Sequence, residues 1–264
     1  MRPAIVATDV SKLFRIADNP VRSMKERLVG IGRRKFTDFT ALDHMSFTVA
    51  QGETIAILGH NGSGKSTLLK CIAGILRPTT GTIAVRGRLA SLLELGAGFH
   101  PELTGRENVF INAAFLGIPR REIEKRFDAI IDFAELGRFI DEPVKHYSSG
   151  MYVRLGFAVA VNVDPDVLLV DEVLAVGDEA FAAKCLARVA EFQAEGRTIV
   201  VVSHSAAVVR QVCRRALVLD HGHLVADTDT EEAIRVLRQH LHLPPEGSEP
   251  GAHPVSGAAQ PVIE

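Results

Sequence analysis

The stretch Thr54-Ile55-Ala56-Ile57-Leu58 runs straight into Gly59-His60-Asn61-Gly62-Ser63-Gly64-Lys65-Ser66-Thr67. The first five residues are apolar on both faces of an extended chain, which suits a strand in a sheet covered on both sides. The next nine fit the phosphate-loop pattern, with Gly at 59 and 64 followed by Lys and Ser. Glycines let the backbone wrap round an anion, and successive N–H groups form a nest for it. The helix that follows adds its positive end. Lys65 is placed to reach the β- and γ-phosphates of a nucleotide, and the Ser66 hydroxyl to face Mg²⁺. Gly59, Asn61, Gly62, Ser63, Gly64, Lys65, Ser66 and Thr67 are therefore the candidate nucleotide contacts.

Working outward, two further apolar runs end in chemistry. Val167–Val170 ends in Asp171-Glu172. A carboxylate at such a strand end is what an Mg²⁺ shell requires, which assigns Asp171 to the metal. Glu172 is then placed to orient or deprotonate an attacking water. Thr198–Val202 ends in Ser203-His204. In an open α/β sheet this is where ligands collect, so His204 is a candidate γ-phosphate contact. Leu217–Asp220 and Leu224–Ala226 flank His221-Gly222 and read as a hairpin. Ala4–Val10 and Ser46–Val49 read as two more strands, and Gln51-Gly52-Glu53 as a turn.

Between the glycine-rich loop and Val167 the pattern is helical. Thr104 and Glu107 form a capping-box pair opening a helix through Leu116. Ile123, Phe127, Ile130 and Ile131 make a second helical stripe. Gly150 precedes a mostly apolar helix, Met151–Val163. Residues 100–163 are thus expected to form a helical subdomain inserted into an α/β core. Residues 20–35 carry six basic residues and one acid, with Val21, Met24, Leu28 and Ile31 on one face. This segment is either a solvated surface helix or one facing anionic lipid headgroups. In residues 244–264, eight of 21 are Pro or Gly, which predicts a disordered tail.

Composition narrows the class. The 264 residues are 47% hydrophobic and 23% charged, an ordinary globular balance. A formal charge of −2 gives no basic excess that would call for nucleic acid. No apolar run approaches the roughly 18 residues of a membrane span. The start, Met1–Val6, is too short in apolar residues for a signal peptide. Cys71, Cys185 and Cys213 are odd in number and widely spaced, as small core residues would be.

Taken together, these motifs resemble the ATP-binding cassette family over residues 4–240. Tyr147-Ser148-Ser149-Gly150-Met151 is similar to the family's signature motif at a helix start, with Ser148 as its serine and Gly150 as its second glycine. The resemblance implies an α/β cassette: a RecA-like P-loop core, an antiparallel β subdomain and the inserted helical subdomain, together spanning residues 1–243. It also implies an ATP-sandwich homodimer, in which Ser148, Ser149 and Gly150 of one protomer cap the ATP on the other's P-loop. Asp178 then matches the loop that crosses the dimer, and His204 the switch histidine. Phe14 matches the adenine-stacking aromatic, with a plain core Phe as the other reading.

None of the five glutamines, Gln51, Gln193, Gln211, Gln239 and Gln260, lies where the family's Mg²⁺-sensing glutamine stands, so Glu94 is the candidate substitute. Three long stretches (Leu93–Asn108, Tyr147–Leu155 and Asp171–Asp178) and the basic insertion at 20–38 resemble one branch. That branch comprises the ATPase subunits of bacterial polysaccharide exporters for O-antigen, galactan or teichoic acid. The resemblance implies ATP and Mg²⁺ as ligands and two copies of an integral-membrane subunit as partners, docked near Leu95–Thr104. It further implies a lipid-linked glycan as cargo and a place on the cytoplasmic face of the inner membrane. Another cargo, a drug or a lipid, is the alternative.

Overall fold

The computed structural model describes residues 2–17, 36–93, 98–115, 117–162, 164–171, 178–203 and 206–241. The basic segment 20–35, the tail 244–264, Glu94, Glu172 and His204 lie outside them.

The described residues form two sheets. The first has three antiparallel strands in the order β2-β1-β4: β1 Pro3–Ala17, β2 Phe36–Ala50 and β4 Thr80–Val85. The second has six, in the order β5-β6-β7-β3-β8-β9. These are β3 Thr54–Gly59, β5 Leu89–Ser91, β6 Val167–Val170, β7 Thr198–Val202, β8 Arg215–Asp220 and β9 His223–Asp229. All pair in parallel except β9, which returns antiparallel beside β8.

The alternation along the parallel strands builds the core. Ala56 and Leu58, Leu168 and Val170, Ile199 and Val201, and Ala216 and Val218 enter one buried cluster. Ile55 and Ile57, Val167 and Leu169, Val200 and Val202, and Leu217 and Leu219 enter another. A strand buried on both faces has no polar alternation, which is why these four runs read as continuous apolar stretches. Helix α1, Lys65–Ile72, joins the second cluster with Leu68, Leu69, Cys71 and Ile72, alongside β1 and β2. The first cluster takes in α2 Gly105–Phe115, α3 Arg120–Ala134, α4 Ser149–Asn162, α5 Glu179–Ala194, α6 Ala206–Val212 and α7 Thr230–His240. Helices α2 to α4 lie in sequence between β5 and β6, two strands that pair directly.

The sequence-based strands at 167–170 and 198–202 match β6 and β7. The hairpin at His221-Gly222 forms, and both residues have φ above zero (45° and 84°), as a two-residue primed turn requires. The capping box forms too: Thr104 N–H donates to Glu107 Oε2 (2.8 Å) and Glu107 N–H to Thr104 Oγ1 (3.2 Å).

Other expectations need correction. β1 runs seven residues past Val10, and β2 starts at Phe36 rather than Ser46. Phe36–Thr40 are all exposed, so no alternation announces them, but they complete a ladder with Leu13–Ala17. Residues 36–38, the end of the expected basic insertion, lie in this strand. The signature helix begins at Ser149, two residues before Met151. All three cysteines are buried and unpaired, as expected.

Candidate functional site

The P-loop bridges β3 and α1 at the carboxyl end of the central strand. Its shape depends on glycines at crowded, left-handed positions. Gly64 has φ 105°, and a Cβ there would stand 2.6 Å from the Ala41 carbonyl oxygen. Gly59 is crowded by the Ser63 hydroxyl and the Leu219 carbonyl oxygen. Gly62 has φ 85° but open space around it. The loop is also held from the β8–β9 turn, where Gly222 N–H donates to Ser63 O at 3.0 Å.

Above the loop lies a cavity of about 310 Å³, lined by Phe39, Ala41, Asn61, Gly62, Gly64, Lys65, Ser66, Thr67 and Asp171. Six of the eight residues expected to hold nucleotide phosphates thus line one cavity, joined by the expected metal carboxylate. Gly59 and Ser63 stand beneath the cavity and shape the loop instead. Ser63 is fully buried, its N–H donates to His60 O (3.1 Å), and its hydroxyl has no hydrogen-bond partner among the described residues. The Lys65 ammonium is buried and donates to Gly59 O (2.8 Å) and His60 O (2.9 Å), so it is held across the loop. Ser66 and Asp171 bring a hydroxyl and a carboxylate to one cavity, an all-oxygen donor set of the kind Mg²⁺ takes.

Phe14 does not line this cavity. Its register partner across the β1–β2 ladder, Phe39, does, and is half exposed. Directly opposed residues in an antiparallel pair share a face, so Phe14 stands one strand further out on the same side. Lys12 Nζ lies 5.2 Å from the Phe14 ring centre. Phe39 is a cavity residue that sequence reasoning missed, because no strand was read there.

Ser148, Ser149 and Gly150 are not part of the cavity. Ser148 caps α4, accepting from Met151 N–H at 3.2 Å, and Ser148 and Ser149 are exposed at the helix start. Tyr147 anchors this turn: its hydroxyl donates to Phe139 O (2.8 Å) and crowds Gly105. Burial, with Asp141 and Glu142 nearby, pushes the Tyr147 phenol up to about 12.

Asp178 is the N-cap of α5, accepting from Phe181 N–H at 2.9 Å, and it also pairs with Arg154 of α4. These bonds, the helix N–H first, hold its carboxyl below the usual range. Asn108, fully buried, was missed as well. Its side chain accepts from His100 N–H (2.6 Å) and donates to the His100, Leu103 and Thr104 carbonyls. It thereby fixes the loop entering α2.

Comparison with known proteins places this arrangement. The ABC transporter family model matches residues 42–175. An O-antigen export system ATP-binding protein, RfbB, from Klebsiella pneumoniae is 45% identical over 244 residues, covering 90% of this chain and 99% of that protein. ABC transporter protein AbcA from Aeromonas salmonicida is 47% identical over 94% of this chain and 79% of its own length. A teichoic acids export ATP-binding protein, TagH, from Enterococcus faecalis is 42% identical over 88% of this chain, which spans 52% of that longer protein. Among solved structures, the ATP binding subunit of an ABC transporter superposes with a TM-score of 0.70 at 23% identity, covering 91% of this chain and 94% of the other. A dimeric post-hydrolysis cassette, MJ0796, bound to ADP and Pi, superposes with a TM-score of 0.68 at 22% identity, over 86% and 98%. The P-loop cavity, the two-sheet architecture and these matches agree, and the chain belongs to the ABC transporter family as an ATP-binding subunit.

Proposed function

We propose that this chain is the ATP-hydrolysing subunit that powers export of a lipid-linked polysaccharide through a separate integral-membrane subunit. The observation that carries the reading is the near full-length match to an O-antigen export ATP-binding protein. The cavity that joins the P-loop to Asp171 supports it.

In this reading the Asn61–Thr67 backbone cradles the phosphates and Lys65 turns its ammonium from the Gly59 and His60 carbonyls toward the β- and γ-oxygens. Ser66 and Asp171 would hold Mg²⁺, which supplies charge neutralisation at the phosphates when bound. Glu94 is proposed as a further member of that shell. Glu172 orients and deprotonates water, and His204 meets the γ-phosphate. Phe14, with Phe39 on the same face, meets the adenine.

The exposed N-terminus of α4, with Ser148, Ser149 and Gly150, caps the nucleotide on a second copy, and Asp178 faces that copy's loop. Two copies then close on ATP and reopen after hydrolysis, a population shift driven by contacts made only in the closed pair. No helix among the described residues is long and apolar enough to cross a membrane. In this reading membrane association rests on the partner subunit, received near Leu95–Thr104, and on basic residues 20–35 facing anionic headgroups.

Depleting the protein in its host and analysing polyprenyl-linked glycans tests the cargo. Accumulation of a long lipid-linked polymer with loss of the matching surface glycan is expected. Intact surface glycans without accumulation would overturn the polysaccharide reading and turn the search to drugs and lipids. Glu172→Gln is expected to keep ATP binding and lose about 10²–10⁴-fold in turnover.

A further inference from the structure

Four side chains meet beside the P-loop without any part in the reading above. His60 follows the first loop glycine, Asp220 ends β8, His221 opens the β8–β9 turn and His240 ends α7. His60 Nε2 lies 2.8 Å from Asp220 Oδ1, and His221 Nδ1 lies 2.8 Å from the same oxygen. His240 Nδ1 lies 3.1 Å from Asp220 Oδ2. The His60 and His221 rings are 4.7 Å apart. One carboxylate is thus surrounded by three imidazoles.

The tautomer of His60 decides what this cluster can do. Its Nδ1 lies 2.6 Å from the Asn61 carbonyl oxygen. A carbonyl only accepts, so Nδ1 carries the hydrogen. In a neutral ring Nε2 then bears a lone pair, and that lone pair faces a carboxylate oxygen. Two electron-pair donors at hydrogen-bond distance need a cation between them. Either a second proton sits there, or a metal ion does. An imidazole whose other nitrogen donates to a backbone carbonyl is the usual arrangement of a metal-ligating histidine.

We infer that His60, Asp220 and His221 form a binding site for a borderline divalent transition-metal ion, Zn²⁺ being the type case, with His240 orienting the carboxylate through its second oxygen. The donor atoms of the three ligands all lie within 4.8 Å of one another. Tetrahedral Zn²⁺ with bonds of about 2.05 Å spaces its ligand atoms roughly 3.3 Å apart, so the two 2.8 Å pairs at Asp220 Oδ1 would open by about 0.5 Å and the exposed His221 ring would turn to close the set. Two imidazoles and one carboxylate leave a fourth position for water, and nitrogen donors select Zn²⁺ over the Mg²⁺ of the nucleotide site. The site would tie the P-loop to the β8–β9 turn, whose Gly222 N–H already bonds the loop at Ser63 O. This inference stands on geometry alone and does not depend on the export reading.

The test is calorimetric titration of the full, tag-free, nucleotide-free chain with Zn²⁺ alone, with Co²⁺ absorption reporting coordination. One ion per chain is expected, with a tetrahedral Co²⁺ spectrum. His60→Gln and His221→Ala should each weaken Zn²⁺ binding by more than the roughly 10–100-fold that loss of an outer partner costs, and His240→Gln by about that factor. His44→Ala and His223→Ala, which remove imidazoles paired with Asp9 and Asp43, should leave it unchanged. Thermal unfolding without metal establishes that each variant is folded. Absence of stoichiometric Zn²⁺ binding by the parent chain would overturn the proposal and leave protons as the cluster's cation. Binding that survives in the folded His60→Gln/His221→Ala double variant would overturn it equally.

Discussion

A pair of alanine substitutions separates two reasons for a glycine in the P-loop. Gly62 and Gly64 both lie in the left-handed region, at φ 85° and 105°. A Cβ at Gly62 meets nothing within 4 Å, whereas one at Gly64 meets Ala41 O at 2.6 Å and Leu42 Cδ2 at 3.0 Å. Gly62→Ala therefore incurs only the backbone penalty of an L-residue there, about 1–2 kcal/mol. Gly64→Ala incurs the same penalty plus overpacking against backbone that cannot step aside, a further 1–3 kcal/mol. The expected losses are about 1–2 and about 2–5 kcal/mol, read by equilibrium urea unfolding of the full chain. For a domain with a total stability of about 5–15 kcal/mol the second is large. ATP binding should follow the same order, because Ala41 lines the cavity that Gly64 would deform. Equal destabilisation by the two variants would refute the steric half of the argument. A harmless Gly62→Ala would refute the conformational half.

Other perturbations follow from the same geometry. Asn108→Ala leaves the His100 N–H and three carbonyls without the side chain that joins them and is expected to cost about 1–3 kcal/mol, with faster hydrogen exchange at the His100 amide. Asp178→Asn keeps the cap on α5 and loses only the Arg154 pair, whereas Asp178→Ala loses both. Unfolding should show a smaller loss for the first than for the second.

The acid side has a definite sign. Asp178, Glu135 and Asp141 all titrate below their usual values, held by the Phe181 N–H, Lys184 and Arg106 respectively. Their contribution is present above the ordinary carboxylate range and is lost as pH falls through the lowered folded values. The loss of stability that these three carboxylates contribute should therefore fall below about pH 4. Burial pushes the Cys185 and Cys213 thiols up to about 12, so a thiol reagent should label both only after unfolding. Prompt labelling of the native chain would contradict their burial.

The parallel core was legible because its strands are short apolar runs whose ends carry the chemistry. Ile55–Leu58, Val167–Val170 and Thr198–Val202 are buried throughout, so burial and sequence pattern coincide. The antiparallel sheet was less legible because its pairing is long-range and interrupted. Phe36–Thr40 are exposed residues that owe their strand to Leu13–Ala17 across the ladder. In β4 a glycine stands at 81, where a Cβ would strike the bulged backbone at Thr8 and Asp9. The same distance effect hid parts of the site. His60 and Asp220 touch across 160 residues, and Phe39 reaches the P-loop cavity from a strand with no local signal.

The P-loop and helix α4, the two segments that the proposed function draws on, are held by different contacts. The P-loop is clamped by backbone: Gly64 against Ala41, Gly59 against Leu219, and Ser63 O accepting from Gly222. Gly62, with open space around it, stands clear of that clamp. Helix α4 meets α5 through the buried ring pair Phe157 and Phe181, whose centres lie 6.0 Å apart, and through ions nearer the surface. Arg154 pairs with Glu135 and Asp178, and Lys184 joins Glu135 and the end of α3. The carboxylates at this junction are about half exposed, so these pairs are weak and screened by salt. Close packing against backbone admits one loop shape, whereas the α4–α5 junction combines a packed aromatic pair with ions that salt screens.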